Sequence, residues 1–114
     1  MTRSAEQTWQ EYLEIWNGER PITGLHELLA PDYIGYAGAA ERDSKGLALR
    51  IAAYRLDHPG ARFEALEVLP AGDRLVTRLR ATGLTGTDAP AYGINISQYA
   101  DGRLFREWAV WEMP

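Results

Sequence analysis

The side chains able to carry chemistry in this sequence are few, and their spacing excludes most familiar reaction types. There is no cysteine, which removes thiolate nucleophiles, disulfides, iron–sulfur clusters and thiolate zinc sites together. His26 and His58 lie 32 positions apart and form neither an H-x-H nor an H-E-x-x-H pattern. A histidine metal centre is therefore not expected, and both read as surface or capping residues. Ser4, Ser44 and Ser97 stand in no G-x-S-x-G elbow. Lys45 is the single lysine beside eleven arginines. It is the one candidate for Schiff-base chemistry and sits next to Ser44 at an expected helix start, exposed to solvent. Gly35-Tyr-Ala-Gly38 lacks the lysine and the helix of a phosphate loop. What remains is cofactor-free work by tyrosine, carboxamide and carboxylate groups in an aromatic-lined pocket.

Four Trp, six Tyr and two Phe in 114 residues can supply the walls of such a pocket. A chain of this length folds as one domain over residues 1–114. Its net charge of −4, without a basic patch, argues against nucleic acid, whose binding rests on phosphate neutralisation. No apolar run reaches the ~18–20 residues a membrane-spanning helix needs, so no membrane partner is expected. The first residues lack the apolar stretch of a secretion signal, and a cytoplasmic location is the expectation. The arginine bias reads as base composition.

Hydrophobic spacing then sets out the elements. A helix is expected from about Ser4 to Asn17, opened by a capping box of Ser4 with Gln7. Trp9, Tyr12, Leu13 and Trp16 recur at i, i+3, i+4 and i+7 and share one face. A shorter helix is expected over Ile22–Leu29, a short strand over Tyr33–Tyr36, and a third helix from Ser44 to Leu56, broken by His58-Pro59-Gly60. From Ala61 the period changes to two, giving strands over Arg62–Leu69, Arg74–Leu84, Tyr92–Tyr99 and Arg103–Glu112. The last two are joined through Asp101-Gly102, a hairpin signal. Three helices followed by an antiparallel meander make an α+β domain with helices on one face of a curved sheet.

Strand parity places Phe105, Glu107, Ala109 and Trp111 on one face of the last strand. Leu104, Arg106, Trp108 and Val110 fall on the other. Aromatics on both faces point to helices covering one and a partner subunit covering the other, hence a homodimer through the sheet.

Several stretches carry a family resemblance. Tyr12-Leu-Glu-Ile-Trp-Asn-Gly-Glu19 and Leu25-His-Glu-Leu-Leu-Ala-Pro-Asp-Tyr33 are similar to the opening of SnoaL-like polyketide cyclases. That opening also occurs across the nuclear-transport-factor-2-like superfamily. The run from Gly93 to Trp111, with its Asp-Gly turn and following Trp, resembles the closing hairpin of the same family. His58-Pro59 and Ala71-Gly-Asp-Arg-Leu-Val76 fall in family-like order between them. The resemblance implies a cone of curved antiparallel sheet closed by about three helices around a cavity, commonly as a homodimer. It fixes no reaction, because the fold hosts many.

Functional positions follow from the resemblance one at a time. In the steroid isomerases of the superfamily, a tyrosine of the first helix and a carboxylic acid of the penultimate strand hold an oxyanion, a worked case of pKa tuning. Tyr12 and Asn95 occupy those positions, and an amide can donate a hydrogen bond without a raised pKa. The isomerases' base falls near Tyr36 or Ala37, where no carboxylate stands. The cyclases' histidine and aspartate fall at Asn95 and Ala109, so both are missing. Glu107, two residues from Ala109 on the same face, can supply a displaced carboxylate, and an apolar cavity beside Trp111 would raise its pKa. It can equally pair with Arg78 or Arg80 on a neighbouring strand. Trp16, Tyr36, Tyr54, Ser97 and Trp111 are expected to line the ligand pocket.

Two readings follow. In one, the chain is a cofactor-free cyclase or isomerase acting on a small cyclic or polyketide-like carbonyl compound. Tyr12 and Asn95 then hold an enolate while Glu107 moves the proton. In the other it is a non-catalytic module that binds a hydrophobic or aromatic ligand or dimerises. The short Thr85–Tyr92 segment favours this second reading slightly. Whether Asn95 and Glu107 point into a cavity discriminates the two.

Overall fold

In a computed structural model, which describes residues 3–112, three helices pack on one face of a curved, open six-stranded sheet. Helix α1 (Ala5–Trp16) begins at the expected capping box, with reciprocal bonds between the Ser4 and Gln7 side chains and backbones. It buries Thr8, Trp9, Tyr12 and Ile15. The buried stripe is thus rotated from the expected one: Ile15 is fully enclosed, while Leu13 and Trp16 are half-buried. The expected second helix is shorter, a 3₁₀ turn over Ile22–Gly24 leading into α2 (Leu25–Leu28).

Strand β1 (Leu29–Ala37) is longer than the sequence suggests, and the short β2 (Ala40–Arg42) folds back on it. Helix α3 (Ser44–Asp57) is capped by Asp43, whose Oδ1 accepts from the Gly46 N–H at 2.8 Å. It turns Leu47 and Ile51 inward. Strands β3 (Arg62–Ala71), β4 (Arg74–Thr82), β5 (Ala91–Ala100) and β6 (Arg103–Glu112) form the antiparallel meander. Their positive-φ turn at Asp101-Gly102 lies where expected.

The sheet order is β2-β1-β6-β5-β4-β3. Strand β1 runs parallel to β6, so the sheet is mixed rather than wholly antiparallel. This pairing brings the first strand beside the last. The register also shifts between Gln98 and Tyr99 opposite Arg106 and Leu104. That bulge at Phe105 turns Leu104 inward, fully buried, against the simple alternation expected of β6.

Two apolar clusters fill the concave side. One gathers Trp9, Tyr12, Ile15, Leu47, Ile51 and Leu104 among others. The other holds Phe63, Ala81, Leu84 and Ala91, with Trp16, Tyr54 and Trp111 packed on it. Asn17 ties α1 to the sheet: its Nδ2 donates to the Phe63 carbonyl at 2.9 Å and its Oδ1 accepts from the Phe63 N–H at 2.6 Å. Thr8 hydroxyl donates to the Gly102 carbonyl, docking the same helix on the β5–β6 turn. Among the described residues no helix is long and apolar enough to cross a membrane.

Candidate active site

The two clusters do not close completely. Between α1, α3 and the sheet lies a cavity of about 240 Å³, smaller than the ~300–1,000 Å³ typical of drug-sized ligands. Its walls are mainly aromatic and aliphatic, and Tyr33 and Asn95 converge on one carboxylate.

That carboxylate is Glu107, 7 % exposed on the inward face of β6. Its Oε2 accepts from the Tyr33 hydroxyl at 2.8 Å, and its Oε1 accepts from Asn95 Nδ2 at 3.0 Å. The Tyr12 hydroxyl approaches it from α1 and also interacts with Trp16. Burial raises the Glu107 pKa above the ordinary carboxylate value, against the opposing pull of Tyr12, Tyr33, Asn95 and the more distant Arg42 charge. Burial and the Glu107 charge push the Tyr12 and Tyr33 phenols up as well. The site therefore pairs one basic group with two phenols that stay protonated as donors.

Local backbone geometry explains the convergence. Tyr33, Gly35 and Ala37 alternate onto the inward face of β1, and Gly35 lies opposite Glu107 in the parallel ladder. A Cβ at Gly35 would fall on the Tyr33 hydroxyl and stand 3.4 Å from Glu107 Cγ. The missing side chain is thus the space through which the phenol reaches the carboxylate. Gly93 makes similar room for Trp111, whose ring atoms would lie 2.6–2.8 Å from an added Cβ. Ala37 and Ala109 are ladder partners and both border the cavity. These are the positions where the resemblance looks for carboxylates, and Glu107 stands one row away.

The structure brings Tyr12, Asn95 and Glu107 together at the cavity wall, which Trp16, Tyr54 and Trp111 also line. Trp16 and Tyr54 meet edge-on, with ring centroids 5.7 Å apart. Tyr36 borders the cavity too, but its ring stacks on Trp108 at 6.0 Å, a residue of the opposite parity from Glu107. Ser97 lies elsewhere: it is fully buried and accepts from the Tyr99 hydroxyl at 2.9 Å, behind the cavity wall. Arg78 and Arg80 pair with Glu67 and Glu64 on β3, leaving Glu107 to the cavity. His58 accepts from the Thr85 N–H at 3.0 Å, a loop-holding role.

Sequence reasoning missed Tyr33, Arg42 and Arg50 at this site. The period-two run Tyr33-x-Gly-x-Ala37 was a usable signal for Tyr33, once that strand is extended. Two buried polar atoms in the wall, Trp9 Nε1 and Asn95 Oδ1, have no protein partner among the described residues. Each such orphan carries a desolvation cost of ~1–3 kcal/mol that a ligand's polar group would relieve. Among the described residues no group of three or more His, Asp or Glu side chains is placed to hold a metal ion.

Comparison with known proteins agrees with this architecture. A proposed polyketide cyclase, IdmH from Streptomyces antibioticus, superposes with a TM-score of 0.80 at 23% identity, covering 95% of this chain and 91% of that one. A loop-truncated variant of IdmH gives a TM-score of 0.84, also at 23% identity, over 96% of this chain and 93% of the other. A SnoaL-like polyketide cyclase from Agrobacterium tumefaciens gives 0.81 at 16% identity, with 96% and 92% covered. At such identities these likenesses speak for the fold. No curated protein matches the sequence. The SnoaL-like domain signature spans residues 9–107, nearly the whole of the helix-covered sheet, and the chain therefore belongs to the SnoaL-like family.

Proposed function

We propose that the cavity is a cofactor-free acid–base site for a compact cyclic or polyketide-like carbonyl compound, of cyclase or isomerase type. The observation that carries this reading is the buried Glu107 carboxylate, hydrogen-bonded by Tyr33 and Asn95 and opening onto an apolar cavity. A carboxylate lifted by burial works closer to neutral pH as a base, as proton abstraction from carbon requires.

In the proposed step, ionised Glu107 takes a proton from the carbon beside the substrate carbonyl. The electron pair of the broken C–H bond moves onto the carbonyl oxygen, giving an enolate. Tyr12 donates to that oxygen, and the amide nitrogen of Asn95 carries a second proton beyond the one given to Glu107. In an isomerisation, protonated Glu107 returns the proton to a different carbon. In a cyclisation, the enolate carbon attacks a second carbonyl and the new alkoxide takes the proton. Trp16, Tyr54 and Trp111 wall the substrate, and water is kept out by the same aromatic faces.

Deuterium uptake tests the reading without knowledge of the full reaction. Small cyclic ketones and 1,3-dicarbonyl compounds are incubated in D₂O and followed by NMR. Protein-dependent exchange is expected, falling by ~10²–10⁴ in Glu107→Gln and by ~10²–10³ in Tyr12→Phe. Exchange equal in the wild type and Glu107→Gln would overturn it. The alternative, a non-catalytic hydrophobic-ligand module, is favoured by the apolar walls and the short 85–90 loop. Binding without any exchange would select it.

The proposal includes a homodimer through the outer sheet face. Tyr92, Ile94 and Val110 stand exposed there, Val110 at 71 %, and an apolar patch of this kind commonly marks an interface.

A further inference from the structure

Glu107 is one of three charged side chains that line the cavity; the other two, Arg42 and Arg50, are cations. Two guanidiniums against one carboxylate is a local excess of positive charge in a chain whose net charge is −4. Neither arginine forms an ion pair or a side-chain hydrogen bond among the described residues; Arg55, Arg74 and Arg103 share that state but do not line this cavity, and Arg3, Arg20, Arg62, Arg78 and Arg80 are paired with glutamates. Arg50 instead projects from α3 with its guanidinium 5.5 Å from the Tyr54 ring centre.

The sheet register shows what these charges face. Arg42 on β2 is the ladder partner of Gly35, and Gly35 is the partner of Glu107. Arg42 and Glu107 thus flank a residue with no side chain, two strand spacings or ~10 Å apart between backbones. No Arg42–Glu107 ion pair forms among the described residues, so the guanidinium is left to the cavity that both residues line. Arg42 is half-buried and Arg50 is solvent-exposed, which sets the cationic end toward the entrance.

We propose that Arg42 and Arg50 form an anion-binding mouth to the cavity, so that the ligand carries a carboxylate or phosphate head group at its outer end. This inference rests on the reading of the cavity as a substrate site and adds the substrate's charge and orientation. The guanidinium fork matches either anion bidentately. The apolar body then lies along Trp16 and Tyr54, with the reacting carbon toward Glu107. An anionic head anchored there contributes binding energy remote from the reacting bond.

Calorimetric titration tests this with three probes: 4-hydroxycinnamate, its methyl ester, and 4-hydroxyphenyl phosphate. At least one anion is expected to bind ~tenfold or more tightly than the ester, and the tighter of the two names the head group. Raising NaCl from ~50 to ~500 mM should weaken the anion more than the ester, a test that needs no variant. Arg42→Gln and Arg50→Gln should each cut the anion's preference over the ester several-fold. Equal affinity for anions and ester, a preference that survives both substitutions, or no binding of either anion at millimolar concentration would overturn the anion mouth. The catalytic reading is decided separately: a preserved anion preference with deuterium uptake indifferent to Glu107→Gln would sink catalysis and leave the mouth standing.

Discussion

Glu107 is held between opposing demands: burial disfavours its charge, while Tyr33 and Asn95 donate to that charge. Burial dominates, so the folded protein binds its proton more tightly than the unfolded chain does. The sign of the stability effect follows. This group's contribution is fully present below the ordinary carboxylate pKa and is lost as pH rises through the raised folded value. Glu107→Gln removes that loss, so the variant's Tm should gain on the wild type as pH rises above the ordinary carboxylate range. A Tm difference constant over that rise would contradict the assignment. The inward face of Glu107 was legible from strand parity around Ala109 and Trp111. Its partner Tyr33 fell inside the expected strand Tyr33–Tyr36, but its meeting with Glu107 was not legible, because it depends on the long-range parallel pairing that sets Gly35 opposite Glu107.

Individual elements hold the site through a few close approaches. Asn17 serves as a substitute strand edge for the Phe63 peptide, both accepting and donating. Asn17→Ala should lower stability by ~1–3 kcal/mol, measured by urea unfolding. A change below ~0.5 kcal/mol would show that α1 is anchored by packing alone. Gly35→Ala should drive the Tyr33 phenol off Glu107. Its deuterium-uptake loss should then match Tyr33→Phe, and the double variant should lose little more. Full additivity would show that the two act independently. The capping box of α1, the Asp101-Gly102 turn and the limits of β6 were readable because each is a local signal. The β6 bulge at Phe105 was not, since nothing in the alternation Leu104-Phe105-Arg106-Glu107 marks the extra residue. It arises from the shifted pairing of Tyr99 with Leu104.

At the scale of the molecule, the return of β1 to pair in parallel with β6 is what carries Tyr33 and Gly35 beside Glu107. A reading of consecutive strands produces a meander and leaves that long-range pairing unspecified. The proposed homodimer also belongs to this scale. Ile94 and Val110 are ladder partners on the outer face, and both are exposed. Ile94→Arg should convert a sedimenting dimer to monomer at micromolar concentration. A monomeric wild type would remove the dimer.

On the proposed function, the Glu107 carboxylate is the base of this cavity. The pH profile of deuterium uptake into a bound carbonyl compound tests it most directly. The expected profile rises with an apparent pKa above the ordinary carboxylate value and is lost in Glu107→Gln. A profile unchanged by that substitution would contradict the claim.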